Sequence, residues 1–479
     1  MEQFFLGIDI GTQGVRVVLI DSKGNKVVSD GKTFPLTNES RQEQSPQLWW
    51  DTCKFLMKKL LSSTIPGEIR GITVTSTSGT VIPLDSNHKP LHPAIMYSDK
   101  RSAKESDLCS TVAKAHINGY TGFNASSGLS KMVWFANAYP GKVAKIHLWV
   151  HAADYITGKL SGIWGVTDHT NALKSGYDTV KETWPNYLFD KLGLKKEWMP
   201  QVFPSGKIIG KLDRKLAASL GIKNSPEVTV GITDGCASQI ASGAIKPGDW
   251  NSTIGTTLVI KGVTARQIID PQGRFYSHKH PEGYWMPGGA SNIGADWVTE
   301  DFGNDLQLLE SQAAKLIPTP YLSYPLRQLG ERFPFMAPNA RGFEPKGLSR
   351  GESFTSNMEG VAYIERYAYE IARNLSGENV EAVYSAGGGS LSPTWLKIRS
   401  NVLNLPVYKT KFISGAFGAA VLAASKTVFS GLTEAGEQLI HLEKEIIPEP
   451  ALNRIYENNY REFIDILLKK NYITEYIHA

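Results

Sequence analysis

The sequence predicts an α/β fold, and three features of its pattern support that prediction. Short apolar runs separated by turn residues open the chain, as expected of β-strands. A segment with helical apolar spacing follows, and then another strand-like run. A Gly-Thr turn followed by an apolar run occurs near the start of each half of the chain. Strands and helices in this order are typical of layered α/β domains.

The first thirty residues predict a β-hairpin. Residues 4–10 form a strand-like run that residues 11–14 interrupt, and residues 15–20 resume it. A second turn precedes a third strand that begins at residues 26–29. Asp9 lies inside the first apolar run, next to the turn, where a plain hairpin core does not favour a carboxylate.

The rest of the chain continues the alternation of helices and strands. Helices and strands are assigned from apolar periodicity and from flanking turn residues. The predicted strands cover residues 71–79, 227–232 and 380–385. The predicted helices cover residues 46–63, 235–244 (rich in small residues), 357–376 and 391–405, and a charged helical tail covers residues 433–479.

The composition indicates a folded protein without a membrane or nucleic-acid partner. The 479 residues are 41% hydrophobic and 20% charged, and the formal net charge of +5 comes without a Lys/Arg run. Three isolated cysteines disfavour a disulfide framework and a structural zinc site. We expect no signal peptide and, because no run approaches roughly 18 apolar residues, no membrane span. We expect a cytoplasmic protein, either a monomer or a homodimer.

Two Gly-Thr turns are candidate phosphate sites. Gly11-Thr12 and Gly255-Thr256 each follow a strand, and glycine lets successive backbone N–H groups converge on an anion. The Asp9 carboxylate could hold the hydrated Mg²⁺ that accompanies ATP. Two like-built halves would place these turns across a cleft. From the local sequence alone, ordinary hairpin turns are an equally good interpretation.

A glycine-rich turn and an aspartate complete the candidate site. Gly388 and Gly389 follow a strand and precede a helix, whose N-terminus favours a phosphate. Trp395 lies one turn into that helix and could cover an adenine, or it could belong to the core. Asp234 follows a strand and could accept a proton from a substrate hydroxyl, although an N-cap is the alternative.

Other catalytic motifs are not supported. A Walker loop at Gly31-Lys32-Thr33 would need glycine where Lys26 stands, and no G-x-G-x-x-G or G-x-S-x-G motif is present. His147 and His151 are four residues apart on a predicted helix, but the glutamate of a zinc-binding HExxH motif is missing.

Together these motifs resemble the FGGY carbohydrate kinases of the actin-like ATPase superfamily. The matching segments follow the family order over nearly the whole chain: residues 7–12, 78–85, 93–101, 167–172, 231–235, 254–257, 330–334 with 339–342, 386–406 and 415–424. The resemblance implies two ribonuclease-H-like domains around a central cleft. The expected division is a sugar-binding domain (1–232), an ATP-binding domain (233–432) and a C-terminal helical segment packed on the second domain (433–479).

The resemblance also implies an ATP- and Mg²⁺-dependent sugar kinase. By this resemblance Asp234 is the general base, and Asp9 is the magnesium ligand beside the sugar. The implied phosphate-binding turns are Gly11 with Thr12, Gly255 with Thr256, and Gly388 with Gly389. The implied sugar-facing positions are Thr77, Ser78, Asp99 and Gly235. Trp395 near the adenine is our own addition to these roles.

The sugar loop departs from the pattern of xylulose kinases. Thr77-Ser78 replaces a Met-His pair, and Tyr97-Ser98 replaces Trp-Asn before Asp99. Because a histidine is lost, we expect a ketopentose with D-ribulose slightly ahead of D-xylulose. The alternatives are L-ribulose, glycerol, or a non-catalytic ATP-binding regulator or assembly protein of the actin-like superfamily.

Overall fold

The computed structural model describes residues 2–61, 67–117, 119–303 and 305–475. The chain forms two compact units, each assembled from separate stretches of sequence. The first unit comprises residues 1–241, 278–283 and 412–441, and the second comprises residues 242–277, 284–411 and 442–479.

The described residues form strands and helices along both units. The strands are β1 (Glu2–Gly11), β2 (Gly14–Asp21), β3 (Lys26–Thr33), β4 (Glu43–Gln44), β5 (Gly67–Ser76), β6 (Val81–Leu84), β7 (Ala94–Ile95), β8 (Leu148–His151), β9 (Val166–Asp168), β10 (Gln201–Phe203), β11 (Ile208–Lys211), β12 (Glu227–Thr229), β13 (Ile232–Thr233), β14 (Asp249–Ile254), β15 (Leu258–Gly262), β16 (Tyr276–Lys279), β17 (Trp285–Ala290), β18 (Ala382–Ala386), β19 (Val407–Thr410) and β20 (Leu442–Ile446). The helices are α1 (Asn38–Gln42), α2 (Pro46–Leu61), α3 (Ala103–His116), α4 (Gly128–Ala138), α5 (Pro140–Val143), α6 (Ala152–Ser161), α7 (His169–Leu173), α8 (Tyr187–Asp190), α9 (Arg214–Ser219), α10 (Asp234–Ser242), α11 (Leu306–Leu316), α12 (Arg350–Ser376), α13 (Pro393–Leu403), α14 (Gly415–Thr427), α15 (Leu432–Leu439) and α16 (Pro450–Lys469).

The sheet of the first unit has the strand order β11-β12-β5-β1-β2-β3, and β13 also pairs with β5. Strand β1 is antiparallel to β2 and parallel to β5. Because side chains alternate along a strand, Leu6 and Ile8 join the core that α2 and α6 cover. Gly7 and Asp9 face α14 instead. The apolar run of β1 is therefore buried on both faces, which explains why it does not alternate with polar residues.

Helix α14 comes from the C-terminal part of the sequence but packs on the first unit. A Cβ on Gly7 would lie 1.8 Å from the carbonyl oxygen of Ala416, so glycine is required for this close approach to β1. A Cβ on Gly418 would lie 1.9 Å from the carbonyl oxygen of Ala237, so α14 also packs closely on α10. Helix α14 thus holds the strand of Asp9 and the helix of Asp234 together.

The second unit repeats this topology. Its sheet has the order β16-β17-β15-β14-β18-β19-β20. Strand β14 is antiparallel to β15 and parallel to β18, as β1 is to β2 and β5. The two Gly-Thr turns therefore occupy equivalent positions in their sheets, and the internal similarity predicted from the sequence is confirmed.

Several predicted elements differ from the observed ones. The helix predicted over 46–63 is described to Leu61, and residues 62–63 lie outside the described residues. The strand predicted over 227–232 is divided into β12 and β13. His151 ends a strand, so the helix predicted there is wrong.

The C-terminal segment differs most from its prediction. Residues 442–446 form an edge strand with mostly exposed side chains, so no apolar alternation revealed it. The predicted boundaries 232 and 432 also differ from the observed units, because residues 412–441 pack on the first unit. None of the described helices is sufficiently long and apolar to cross a bilayer.

Candidate active site

Asp9 lies at the carboxyl end of β1 with its side chain partly buried. It is paired in register with Thr75 on β5 and with Arg16 on β2. Burial raises the pKa of Asp9 to about 7; the negative charge of Asp234 adds to this increase and Arg16 opposes it. A cation that reaches the Asp9 carboxylate would stabilise its ionised form.

Asp234 begins α10, directly after β13, which pairs with β5. Its Oδ1 accepts a hydrogen bond of 2.7 Å from the backbone N–H of Gly235. The preceding residue is fixed by a buried network, because the N–H of Thr233 donates to Thr170 Oγ1 at 2.9 Å and Thr170 Oγ1 donates to Asp168. Asp168 is fully buried, and its other oxygen accepts from Asn171. This network positions Asp234. We therefore interpret the motif around residue 168 as a support for Asp234 rather than as a direct contact with a ligand.

The N-terminus of α14 lies beside Asp9. A Cβ on Gly415 would lie 3.2 Å from Asp9 Oδ2 and 3.4 Å from Thr75 Cγ2. Ser414 caps the helix by accepting from the N–H of Phe417. Since a helix N-terminus carries partial positive charge, this end of α14 favours the negative charges of the site.

The predicted sugar loop follows β5. The N–H of Thr77 donates to the carbonyl of Ile10 at 3.3 Å, which ties the loop to the first Gly-Thr turn. Thr77 Oγ1 bonds to Thr80 Oγ1 at 2.8 Å. Ser78 Oγ is buried without a hydrogen-bond partner. A buried hydroxyl that lacks a partner is destabilising unless something else requires it, so Ser78 is the stronger candidate for ligand contact.

Asp99 is held by Arg101 rather than left free. Arg101 Nε donates to Asp99 Oδ2 at 2.9 Å and its second guanidinium nitrogen donates at 2.6 Å. The same guanidinium bonds to Glu43 and lies 4.4 Å from the ring centre of Trp134. Asp99 is 1% exposed, so we interpret it as a support for this loop. The geometry does not favour the predicted direct contact of Asp99 with the sugar.

Lys131 is a residue that the sequence analysis missed. It is fully buried on α4, and its Nζ donates to the carbonyls of Ala125 and, at 3.5 Å, Tyr97. Burial lowers its pKa to about 7, against the opposing effect of Asp99. The signal available in the sequence was a single lysine among small and apolar residues, which is too weak to assign.

In the first unit, the Gly11-Thr12 turn is anchored by Gln44, whose Nε2 donates to the carbonyl of Thr12 at 2.8 Å. In the second unit, Gly255 has open space where a Cβ would lie, and its carbonyl accepts from the N–H of Ala295 at 2.7 Å. Thr256 is exposed next to it. Each turn is thus fixed by its neighbours, and Thr256 of the second turn remains exposed.

The glycine-rich turn packs against the end of β14. Gly387 has a φ of 78°, and a Cβ there would lie 2.4 Å from the carbonyl oxygen of Ile254. A Cβ on Gly389 would lie 2.8 Å from Cβ of Ile254, whereas Gly388 is exposed. The glycines therefore bring this turn and the second Gly-Thr turn to the same edge of the second sheet.

Trp395 requires a correction. Its indole is 3% exposed, its Nε1 donates to the carbonyl of Met358 at 3.0 Å, and its ring centre lies 5.8 Å from that of Trp297. These contacts place it in the core of the second unit and leave no face for an adenine. The nearby helix N-terminus is also occupied, because Glu310 accepts from the N–H of Thr394 at 2.8 Å. A carboxylate at that position disfavours a phosphate there.

The residues around Asp9 fit a divalent cation. Mg²⁺ usually takes one or two carboxylates and keeps several waters. Asp9 and Asp234 supply two carboxylates whose mutual repulsion a cation would relieve. Within the described ranges, no group of three or more His, Cys, Asp and Glu side chains forms a dedicated metal cage. A hydrated cation that arrives with a phosphate is therefore the form that suits this site.

Comparisons with known proteins match this chain over most of its length. The family models described as the N- and C-terminal domains of the FGGY family of carbohydrate kinases match residues 4–241 and 250–427. A xylulose kinase of Bacillus subtilis (strain 168) is 26% identical over 97% of this chain and 98% of its own length. A gluconokinase from the same strain is 24% identical over 89% of this chain and 88% of its own.

Solved structures share the fold. A crystal structure of a "xyloylose kinase" from Brucella ovis has a TM-score of 0.87 and 25% identity, with 98% of this chain and 99% of that chain covered. Plasmodium falciparum glycerol kinase with ADP has a TM-score of 0.82 at 17% identity, with 98% of each chain covered, and shares the fold alone. The predicted α/β class of two ribonuclease-H-like domains is confirmed.

Proposed function

The chain belongs to the FGGY family of carbohydrate kinases and is a sugar kinase, and we propose that it transfers the γ-phosphoryl group of ATP to a hydroxyl of a ketopentose. The observation that carries this proposal is the pair Asp9 and Asp234 at the ends of two strands that both pair with β5, close enough for the charge of Asp234 to add to the effect of burial on the pKa of Asp9. Phosphoryl transfer needs one carboxylate to accept a proton and one to neutralise phosphate charge through a cation.

The acceptor side of the reaction is assigned to the first unit. Asp234 accepts the proton of the sugar hydroxyl, and the hydrogen bond from the Gly235 N–H to its Oδ1 orients the carboxylate. Ser78 and Gly235 lie beside the sugar, and the buried hydroxyl of Ser78 bonds to one of its hydroxyl groups. Thr77 supports the loop through Thr80.

The nucleotide side is assigned to the glycine-containing turns. Gly11 with Thr12 and Gly255 with Thr256 contact the β- and γ-phosphates, since glycine allows close approach of the backbone and the threonine hydroxyls can donate hydrogen bonds. Gly388 and Gly389 lie under the α-phosphate and ribose. When bound, Mg²⁺ would neutralise phosphate charge, with Asp9 as its carboxylate. Since little covalent chemistry is required of the protein, positioning and electrostatics supply most of the acceleration.

The choice of sugar has two supported candidates. The Thr77-Ser78 loop lacks a histidine, which favours D-ribulose, whereas the names of the relatives favour D-xylulose. Both are ketopentoses, and a polar pocket separates them by leaving its own groups unpaired against the wrong hydroxyl stereochemistry. We propose the ketopentose class and take these two as first substrates.

The proposal is tested by ADP release from purified protein with MgATP and a panel of ketopentoses, ketohexoses, gluconate and glycerol. We expect the highest kcat/KM with D-ribulose or D-xylulose. A clear preference for gluconate or glycerol would reject the ketopentose assignment, and no ADP above the sugar-free background with any acceptor would favour a non-catalytic regulator.

A further inference from the structure

The hydroxyl of Thr75 is buried and has no hydrogen-bond partner among the described residues. Thr75 is 0% exposed and lies on β5, in the middle of the sheet of the first unit. In a strand, threonine can be replaced by the isosteric valine, which has high β-propensity. The unpaired hydroxyl therefore lowers the stability of the folded protein, and no hydrogen bond among the described residues compensates for it. A buried group of this kind needs an explanation.

The position of Thr75 relates it to both aspartates. Strand β5 pairs with β1, which carries Asp9, and with β13, which leads directly into Asp234. Thr75 and Asp9 are register partners, so their side chains leave the sheet on the same face.

The N-terminus of α14 closes the space around this pair. The point where a Cβ of Gly415 would lie is 3.2 Å from Asp9 Oδ2 and 3.4 Å from Thr75 Cγ2. Asp9 and Thr75 thus border the same small volume. The Thr75 atom nearest this point is the methyl Cγ2, so bringing its hydroxyl to the carboxylate involves rotation about χ1 of Thr75 and about χ2 of Asp9, whose energy profile is broad.

We propose that Thr75 is a positioning residue of the active site, whose hydroxyl donates to the Asp9 carboxylate when the cation–nucleotide complex is bound. This inference rests on the proposed function. A hydrogen bond from a neutral donor to a carboxylate fixes the orientation of the carboxylate and stabilises its ionised form. The chain keeps an unpaired hydroxyl in the free protein because the bound state uses it.

The test compares Thr75→Val, Thr75→Ser and the control Thr157→Val. Thr157 also has a buried hydroxyl without a partner, but it lies on α6. Removing an unpaired buried hydroxyl should raise the melting temperature of the metal-free protein in both valine variants. We expect only Thr75→Val to lower kcat, by roughly tenfold to a hundredfold, with the KM for sugar unchanged, and Thr75→Ser to restore most of it.

A second readout does not depend on turnover. The affinity for Mn²⁺ in the presence of a non-hydrolysable ATP analogue, measured by electron paramagnetic resonance, should fall in Thr75→Val and not in Thr157→Val. The proposal is overturned if Thr75→Val turns over sugar and binds Mn²⁺ as Thr157→Val does, or if Thr75→Ser fails to restore kcat. Wild-type protein that releases no sugar-dependent ADP would instead reject the proposed function.

Discussion

Burial raises the pKa of Asp9 and the charge of Asp234 adds to it across the carboxyl end of strand β5, although the two residues come from opposite ends of the first unit's main segment. Like charges brought this close destabilise the free protein. Their arrangement is explained by a reaction that brings a cation and a proton donor to the same place.

A pH-dependent gain in stability is expected for Asp9→Asn without metal. The pKa of Asp9 is about 7 in the folded protein and near 4 when unfolded, so between these values the folded state binds more protons. The free energy of unfolding of the wild type therefore falls as the pH rises from about 4 to 7.

The asparagine variant does not titrate at this position and escapes that loss. Relative to the wild type it should gain roughly 4 kcal/mol near pH 8 and almost nothing near pH 4. Urea unfolding at both pH values in EDTA measures this difference. An equal difference at the two pH values would contradict the raised pKa.

A methyl group on Gly415 should impair catalysis without unfolding the protein. Its Cβ would lie 3.2 Å from Asp9 Oδ2, closer than most Cβ contacts, and would displace the carboxylate. For Gly415→Ala we expect kcat to fall by about tenfold or more, since small displacements in an active site are costly.

The matched control is Gly141→Ala. Gly141 also lies in the first turn of a helix, and a Cβ there would meet no atom within 4 Å. Its kcat should equal that of the wild type in the same ADP-release assay. Full activity of Gly415→Ala would show that the Asp9 carboxylate does not need its present position.

Replacement of Lys131 by methionine should weaken sugar binding specifically. The Lys131 ammonium links the segments of Tyr97 and Ala125 behind the sugar loop. In that loop, Gly79 has a φ of 82° and packs against the carbonyl of Ser126. Loss of these bonds frees the loop while methionine keeps the volume. We expect the KM for sugar to rise by about tenfold and the KM for ATP to stay constant. An equal change in both KM values would indicate general damage instead.

A buried ion pair under the glycine-rich turn should dominate the stability of the second unit. Arg399 and Glu365 are both fully buried, with Arg399 Nε donating to Glu365 Oε2 at 2.7 Å. Arg399 also donates to Ser385, two residues before Gly387.

Removing one partner leaves an uncompensated buried charge. For Arg399→Met we expect a loss of about 3 to 5 kcal/mol in the free energy of unfolding, measured by urea denaturation. Lys397→Met serves as the control, because its partner Glu449 is half exposed and such pairs contribute less than about 1 kcal/mol. Similar losses in the two variants would reject the buried pair as a stabilising element.

Local patterns predicted much of the fold and supplied most of the candidate site residues. The hairpin around Gly11 was predictable because turn residues and apolar runs are adjacent in sequence. Asp9 was identified because a carboxylate interrupts an otherwise apolar strand. The packing of α14 on the first unit depends on contacts such as Gly7 with Ala416, which are far apart in sequence and leave no local signal.

Other errors have the same physical origin. The sequence could not distinguish a core position from a stacking position for Trp395, because both need an aromatic residue one turn into a helix. Thr75 gave no signal, since threonine is common in strands and only the register with Asp9 makes its hydroxyl relevant.

Phosphoryl transfer by the proposed mechanism depends on Asp234, which accepts the proton of a ketopentose hydroxyl. This role is measured by sugar-dependent ADP release from wild type and Asp234→Asn in parallel, with ATP binding followed by calorimetry. We expect kcat to fall by a factor of roughly 10² to 10⁴ while ATP binds with unchanged affinity. Turnover of Asp234→Asn at the wild-type rate would contradict this role.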